Sequence, residues 1–191
     1  FKGLGVDEVI QGGQTMNPST EDILNAADKI NADTIFVLPN NSNIILASNQ
    51  AASIIEDKKL IVIPTKTIPQ GITAMINFEL TRSADENEKA MLESLSTVKS
   101  GQLTYAVRDT SIDGKEIKKD NYLGLGDNGL ASVGTDMDDK LIDMLSEFVE
   151  YESELISVYY GEDIDENKAD ELVYKIEEKF DGVDVELQYG G

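Results

Sequence analysis

Cysteine and histidine are both absent from this chain, which removes most of the side chains that carry nucleophilic and metal chemistry. Without cysteine there are no disulfides, no thiolate nucleophiles and no iron–sulfur ligands. Without histidine there is no imidazole base, no Ser-His-Asp triad and no histidine-containing zinc site. Chemistry would have to use carboxylates, lysine, tyrosine, hydroxyls or backbone amides. The composition therefore favours binding over catalysis, and we predict no catalytic residue and no metal ligand.

Positive charge is scarce as well, since 16 basic residues stand against 37 acidic ones and give a net charge of −21. A chain with this charge has no basic patch able to hold nucleic acid, and an anionic membrane surface would repel it. The sequence also lacks a run of about 18 apolar residues, so no membrane span is predicted. It begins at Phe1 without a signal peptide and ends at Gly190-Gly191, directly after a predicted strand. We expect a piece of a longer cytoplasmic protein.

The acidic residues are unevenly distributed along the 191 positions. Residues 1–100 carry 13 acidic and 8 basic groups, whereas residues 101–191 carry 24 acidic and 8 basic groups. Together with the flexible pair Ser100-Gly101, this shift predicts a boundary near residue 100. We expect a parallel βα subdomain over 1–100 and an acidic mixed α/β subdomain over 101–191.

Strands and helices alternate in the first subdomain. The predicted strands are VDEVI (6–10), TIFVL (34–38) and LIVI (60–63). Helices are predicted after the start signals Asn17-Pro18-Ser19, across 44–55, at about 70–77 and at about 84–98. Three βα units in succession predict a three-stranded parallel sheet with right-handed crossovers.

Hairpin signals distinguish the second subdomain. Asp113-Gly114 and Asp127-Asn128-Gly129 predict tight turns between short strands. The other predicted strands are at 103–107, 122–125, 130–133, 155–160 and 183–189. Helices are predicted at 136–149 and 166–180. The fold class is therefore α/β, with a mixed sheet and at least two helices in this half. Strands ending in a glycine pair, VIQGG and LQYGG, suggest that the two subdomains are related.

Three polar loops follow the predicted parallel strands. They are Gly12-Gly13-Gln14-Thr15, Asn40-Asn41-Ser42-Asn43 and Thr65-Lys66-Thr67. Loops at the carboxyl ends of parallel strands face one crevice, where helix N-termini also present free N–H groups. One hypothesis is a pocket for a phosphate, a carboxylate or a loop of a partner, with Lys66 as its single cation. The alternative is ordinary capping and turn chemistry, to which these residue types belong.

Acidic residues dominate the helices between 136 and 180. Their simplest interpretation is a solvated helix surface. The alternative is a docking face for a cationic partner, with Glu147 and Glu150 as candidate contacts.

Four motifs, taken in chain order, resemble a known family. GGQTMNPSTED (12–22), LPNNSNI (38–44), IPTKTIPQG (63–71) and AVRDTSIDG (106–114) look like the carboxyl-terminal region of FakA-type fatty acid kinases. These are dihydroxyacetone kinase-like proteins, also described as DAK phosphatase-like. The resemblance covers about residues 3–191.

This resemblance implies a division of labour within a longer parent protein. The amino-terminal domain of the parent binds ATP and magnesium and phosphorylates the carboxylate of a fatty acid. The fatty acid is held by a separate DegV-like carrier protein, and the acyl phosphate product enters phospholipid synthesis. The carboxyl-terminal region, which itself needs no cofactor, is expected to engage that carrier. The kinase domain is then its second partner, and a homodimer through the parent is a further expectation.

Three functional hypotheses follow. The first is a non-catalytic region that docks the lipid carrier. The alternative is a regulatory domain that binds a small molecule or an anion, related to the dihydroxyacetone-binding subunit of dihydroxyacetone kinases. That subunit holds its substrate through a histidine, so the absence of histidine argues against covalent sugar binding here. The third and weakest hypothesis is an independent phosphatase or kinase.

Overall fold

The computed structural model describes residues 1–12 and 16–190. The backbone groups into two compact units, Phe1–Val98 and Lys99–Gly191, which we call unit 1 and unit 2. Helices and strands occur in both units, which confirms the predicted α/β class. Over the described residues, no helix combines the length and the apolar character needed to cross a bilayer.

Unit 1 alternates helices with two strands. After a 3₁₀ turn at Lys2–Leu4, the elements are α1 (Thr20–Lys29), β1 (Thr34–Val37), α2 (Ser42–Ile54), β2 (Lys59–Val62), α3 (Ile68–Ile76) and α4 (Ala84–Leu95). Strands β1 and β2 pair in parallel, with Ile35 opposite Leu60. The four predicted helices and the strands at 34–38 and 60–63 are thus confirmed, with ends shifted by a few residues.

The predicted strand at 6–10 is wrong, and the described part of unit 1 forms a two-stranded parallel sheet instead of a three-stranded one. Glu8 forms an ion pair with Lys29 of α1 at 3.1 Å. Val9 and Ile10 remain exposed beside that helix. The segment contains two carboxylates in five residues and so lacks the continuous apolar run of a strand buried on both faces.

The two faces of this small sheet pack on different helices. Leu60 contacts a cluster built from α1, β1 and α2, whose buried members are Ile23, Ala27, Ile35 and Ala51. The next residue, Ile61, points the other way and joins Ile63, Ala74 and Met91, which links β2 to α3 and α4. Because successive side chains of a strand alternate between its faces, two adjacent residues serve two cores.

Unit 2 contains antiparallel and parallel strand pairs. Its elements are β3 (Gly101–Tyr105), β4 (Thr110–Ile112), β5 (Lys115–Ile117), β6 (Tyr122–Gly126), β7 (Gly129–Gly134), α5 (Met137–Phe148), β8 (Leu155–Tyr160), α6 (Glu166–Lys179) and β9 (Asp184–Tyr189). One sheet has the antiparallel order β3-β6-β7, strands β4 and β5 form a hairpin, and β8 pairs in parallel with β9. The predicted hairpins, helices and strands of this half are confirmed, but the described strands form separate antiparallel and parallel sheets instead of the predicted mixed sheet.

Two local features explain these elements. Asp113 and Gly114 both adopt positive φ, 52° and 77°, as a two-residue hairpin between β4 and β5 requires. Glycines at 101 and 126 lie opposite each other in the β3-β6 pair, and a Cβ at either position would meet the ring of Phe148 at 2.3 to 2.6 Å. Their missing side chains therefore allow α5 to pack closely on the sheet.

Candidate functional site

Two of the three predicted polar loops meet at the carboxyl edge of the parallel pair. Asn40 follows β1, Thr65 follows β2, and the N–H of Asn40 donates to Thr65 Oγ1 at 2.9 Å. Thr65 is fully buried, and Asn40 adopts the left-handed conformation with a φ of 55°. The contact fixes the direction in which the chain leaves each strand toward the next helix.

The residues that follow begin the two helices. Asn41 caps α2, and its Oδ1 accepts from the N–H of Asn43 at 2.9 Å. Thr67 caps α3, and its Oγ1 accepts from the N–H of Gln70 at 3.3 Å. The backbone N–H of Lys66 donates to Gln70 Oε1 at 2.8 Å. These hydrogen bonds are those of helix capping, and they occupy several of the amides that an anion would use.

The third loop lies mostly outside the described residues. Gly13, Gln14 and Thr15 belong to the undescribed segment, and Gly12, at its margin, is exposed. Its participation in a crevice with Asn40 and Thr65 stays a prediction.

Gly71 of α3 is a contributor that sequence reasoning missed. A Cβ at Gly71 would lie 2.0 Å from Asn40 Oδ1, so the absence of a side chain makes room for Asn40. Asn40 Oδ1 is buried and, within the described residues, accepts no hydrogen bond. The signal in the sequence was a glycine inside an apolar helix. Glycine makes a helix about 1 kcal/mol less stable than alanine does, so its presence there indicates that another group packs closely against the helix.

Two concavities of the described residues lie away from these loops. A shallow groove of about 360 Å³ runs along α1 and is lined by Glu8, Val9, Ile10, Gln11, Asp22, Asn25, Ala26 and Lys29. A smaller one of about 60 Å³ lies between the β6-β7 turn and the end of α5, where Glu147 borders it. Neither contains Asn40, Thr65 or Lys66.

The charged candidates differ in how they are paired. Lys66 is exposed, and no described residue forms an ion pair with it. Glu150 forms an ion pair with Lys99 at 2.5 Å, whereas Glu147 is exposed without an ion-pair partner in the described part of the chain. No group of three or more acidic side chains within the described residues is arranged to hold a metal ion.

Comparison with known proteins identifies the class of this chain. The family model for the C-terminal region of FakA-like fatty acid kinase subunits matches residues 1–191. The chain therefore belongs to this family, in agreement with the resemblance of its sequence motifs.

Individual relatives extend the comparison. Protein YloV of Bacillus subtilis (strain 168) is 45% identical over 190 residues, which covers 100% of this chain and 34% of that protein. An uncharacterised protein of Staphylococcus aureus (strain USA300) is 44% identical over 191 residues, covering 100% of this chain and 35% of the relative. The chain thus spans about a third of the length of the curated relatives that it matches.

Proposed function

We propose that this chain is the non-catalytic region of a fatty acid kinase catalytic subunit, and that it docks the DegV-like protein that carries the fatty acid. The kinase domain of the parent, with its ATP and magnesium, then forms the acyl phosphate. The observation that carries the proposal is the family match over the whole chain, within relatives of which it spans about a third. The remaining two thirds of such a protein leave room for the phosphoryl-transfer machinery.

The residues of the chain are consistent with a binding role. The transfer moves the γ-phosphoryl group of ATP to a carboxylate oxygen and releases ADP, and it relies on positioned cations and phosphate-binding amides. The sequence contains no Gly-rich loop followed by Lys-Ser or Lys-Thr. Three of the amides at the starts of α2 and α3 are engaged by Asn41, Thr67 and Gln70.

Two surfaces compete for the docking role. The first is the acidic surface of unit 2 with Glu147 and Glu150, where the charge would attract a cationic carrier. The second is formed by the loops at the strand ends, which include Asn40, Asn41 and Lys66. Long-range attraction and final contact need not use the same surface, because charge acts over about 8 Å in physiological salt while packing needs direct contact.

A titration of the chain with its fatty-acid-loaded carrier tests the proposal. We expect saturable binding, and an unrelated protein with a similar charge serves as the control. Absence of saturable binding up to about 100 μM, where even weak complexes become populated, would contradict docking. Separately, ATP hydrolysis by the purified chain that a point substitution within it abolishes would contradict the non-catalytic role.

A second candidate is a regulatory domain for a small molecule. The observation in its favour is Asn40 Oδ1, a buried acceptor that lacks a hydrogen-bond partner among the described residues. Titration with dihydroxyacetone and with inorganic phosphate tests it through the melting temperature, which rises when a ligand binds only the folded state. An unchanged melting temperature at saturating concentrations of both compounds excludes these two ligands.

A further inference from the structure

Helix α3 exposes an apolar face. Ile68, Ile72 and Ile76 recur at intervals of four and therefore share one side of the helix. Ile68 is 52% and Ile76 66% exposed, and Ile72 is half-buried. The opposite side carries Ala74, which is fully buried in the core with Met91. The exposed side is thus distinct from the side that holds α3 in unit 1.

The turn after α3 adds a more exposed leucine, held on a rigid support. Leu80 is 91% exposed. Asn87 of α4 is 2% exposed; its Nδ2 donates to the carbonyl of Glu79 at 2.8 Å, and its Oδ1 accepts from the N–H of Glu79 at 2.9 Å. Arg82 forms an ion pair with Glu79 across the same turn. A side chain presented on a fixed turn loses less entropy on binding than one on a loose loop.

The composition of α3 contrasts with the rest of the chain. Helix α3 contains no charged residue, although 28% of the chain is charged. Exposed apolar side chains with local depletion of charge are typical of the centre of a protein interface. A solvated helix instead resembles α4 or α6, whose outer faces are strongly charged.

Two cations lie near the N-terminal end of α3, whereas Glu79 follows its C-terminal end and the acidic helix α4 packs against it. Lys66 lies two residues before the helix, and Lys2 belongs to the 3₁₀ turn that packs against it. Neither forms an ion pair with any described residue. These two unpaired cations at one end of α3 contrast with the net charge of −21 of the chain. Carboxylates of a partner are attracted beside the N-terminal end of α3 and repelled by most of the remaining surface, which favours one orientation of the complex.

We propose, on the basis of the docking function proposed above, that Ile68, Ile72, Ile76 and Leu80 form the contact surface for the partner protein. We call these four residues the α3 surface. The partner presents an apolar patch with carboxylates at its margin, and these pair with Lys66 and Lys2. The α3 surface thus supplies the final contact.

The apolar part is tested by titrating the fatty-acid-loaded carrier against Ile76→Asp and Leu80→Asp, singly and combined. The double variant should lose about thirtyfold in affinity, since each residue acts as a buried interface anchor. Ile54→Asp is the matched control, because Ile54 also ends a helix and is 58% exposed. Its affinity should stay within about threefold of the wild type. Leu80→Ser provides a milder variant if the aspartate variants unfold.

The charged part is tested with Lys66→Glu, which should weaken binding about tenfold through the loss of attraction to a carboxylate. Lys115→Glu makes the same charge change on β5 of unit 2 and should have little effect. Sedimentation velocity of each variant reports self-association in the same samples.

Each outcome decides between the proposals. If the wild type does not bind the carrier, docking and the α3 surface both fail. If the wild type binds and the α3 variants bind equally well, only the α3 surface is wrong. If the variants abolish self-association of the chain and leave carrier affinity unchanged, the face contacts a second copy, which also overturns the inference.

Discussion

Two asparagines of unit 1 hold turns in different ways, one through its side chain and the other through its backbone. Asn87 uses both its donor and its acceptor to hold the backbone of Glu79. Asn40 holds its turn through its backbone N–H, which donates to Thr65, while its side-chain oxygen stays buried without a described partner. Removing a buried side-chain amide that forms hydrogen bonds lowers the stability of the fold, whereas removing one without a partner does not.

Substitution of Asn87 by alanine is expected to lower the free energy of unfolding by about 1 to 3 kcal/mol, because the part-buried N–H and carbonyl of Glu79 both lose their partner. Chemical denaturation at neutral pH measures the change. Asn49→Ala, at an exposed position of α2, serves as the control and should stay within about 0.5 kcal/mol of the wild type. Equal effects of the two substitutions would show that the Asn87 hydrogen bonds contribute nothing.

Gly71→Ala is expected to destabilise the chain by about 1 to 3 kcal/mol in spite of the higher helix propensity of alanine. The added Cβ would lie 2.0 Å from Asn40 Oδ1 and 2.8 Å from its Cγ. Combining it with Asn40→Gly should recover most of the loss, because glycine removes the obstructing side chain and tolerates the φ of 55°. A double-mutant cycle by thermal and chemical denaturation measures the coupling. Additive effects would mean that the two residues do not interact.

At the scale of elements, polar and charged side chains stabilise the ends of helices and join one helix to another. Ser19 and Asp22 form a capping box on α1, and Ser83 and Glu86 form one on α4. Hydrogen bonds from the backbone and hydroxyl of Ser19 lower the pKa of Asp22. In unit 2, Asp138 of α5 accepts hydrogen bonds from Lys168 and Lys175 of α6, and it thereby joins the two helices.

The contribution of the ion pairs of Asp138 with Lys168 and Lys175 should appear in how the stability of Asp138→Asn depends on pH. Partial burial favours a higher pKa for Asp138, but the hydrogen bonds from Lys168 and Lys175 outweigh burial and lower it below 3.8. Because the folded pKa lies below that of the unfolded chain, the stabilisation is complete at neutral pH and is lost as pH falls through the folded pKa. The variant should lose roughly 1 to 2 kcal/mol at pH 7, a value between those of exposed and buried pairs.

Denaturation of unit 2, followed at pH 7 and in steps below pH 4, measures this difference, which should shrink with acidification. Asp143→Asn is the matched control on the same helix, since its ion pair with Lys140 lies within α5 and is exposed. It should change stability by less than about 0.5 kcal/mol. If the stability difference between the wild type and Asp138→Asn stays constant down to acid pH, the stabilisation by Asp138 is not ionic.

At the scale of the whole molecule, the charge is distributed unevenly between the two halves of the chain. The net charge is −5 over residues 1–100 and −16 over residues 101–191. Like-signed charges at this density raise the free energy of the chain, and a cationic partner relieves them. In the docking proposed above, the acidic helices would act during approach and the α3 surface would act in the complex.

Glu147→Lys combined with Glu150→Lys should slow association with the carrier, and added salt should slow association of the wild type steeply while dissociation changes less. Stopped-flow or surface-based kinetics over a range of salt concentrations separate the two rates. Lys66→Glu should act mainly on dissociation. Loss of the Glu150 ion pair with Lys99 is a minor side effect, because the pair is exposed. Faster association of the reversal variant would show that the carrier is steered by its acidic groups.

Local sequence signals were sufficient to predict most helices and turns of this protein. Asn17-Pro18-Ser19 predicted the start of α1, and Ser19 caps it. Asp113-Gly114 predicted the hairpin between β4 and β5. Both depend on hydrogen bonds and backbone angles within a few residues, so the information is present in the segment itself. The family, too, could be recognised from the order of four short motifs.

Tertiary structure alone decided the remaining features. The segment 6–10 has strand-forming residues, but it lies along α1 with its carboxylate paired to Lys29. The role of Gly71 depends on Asn40, 31 positions earlier, and the turn that carries Leu80 depends on Asn87 of the next helix. The isoleucines of α3 suggest a core helix by composition, yet Ile68 and Ile76 face solvent. Whether an apolar side chain is buried depends on which elements pack against it, and that is a property of the assembled fold.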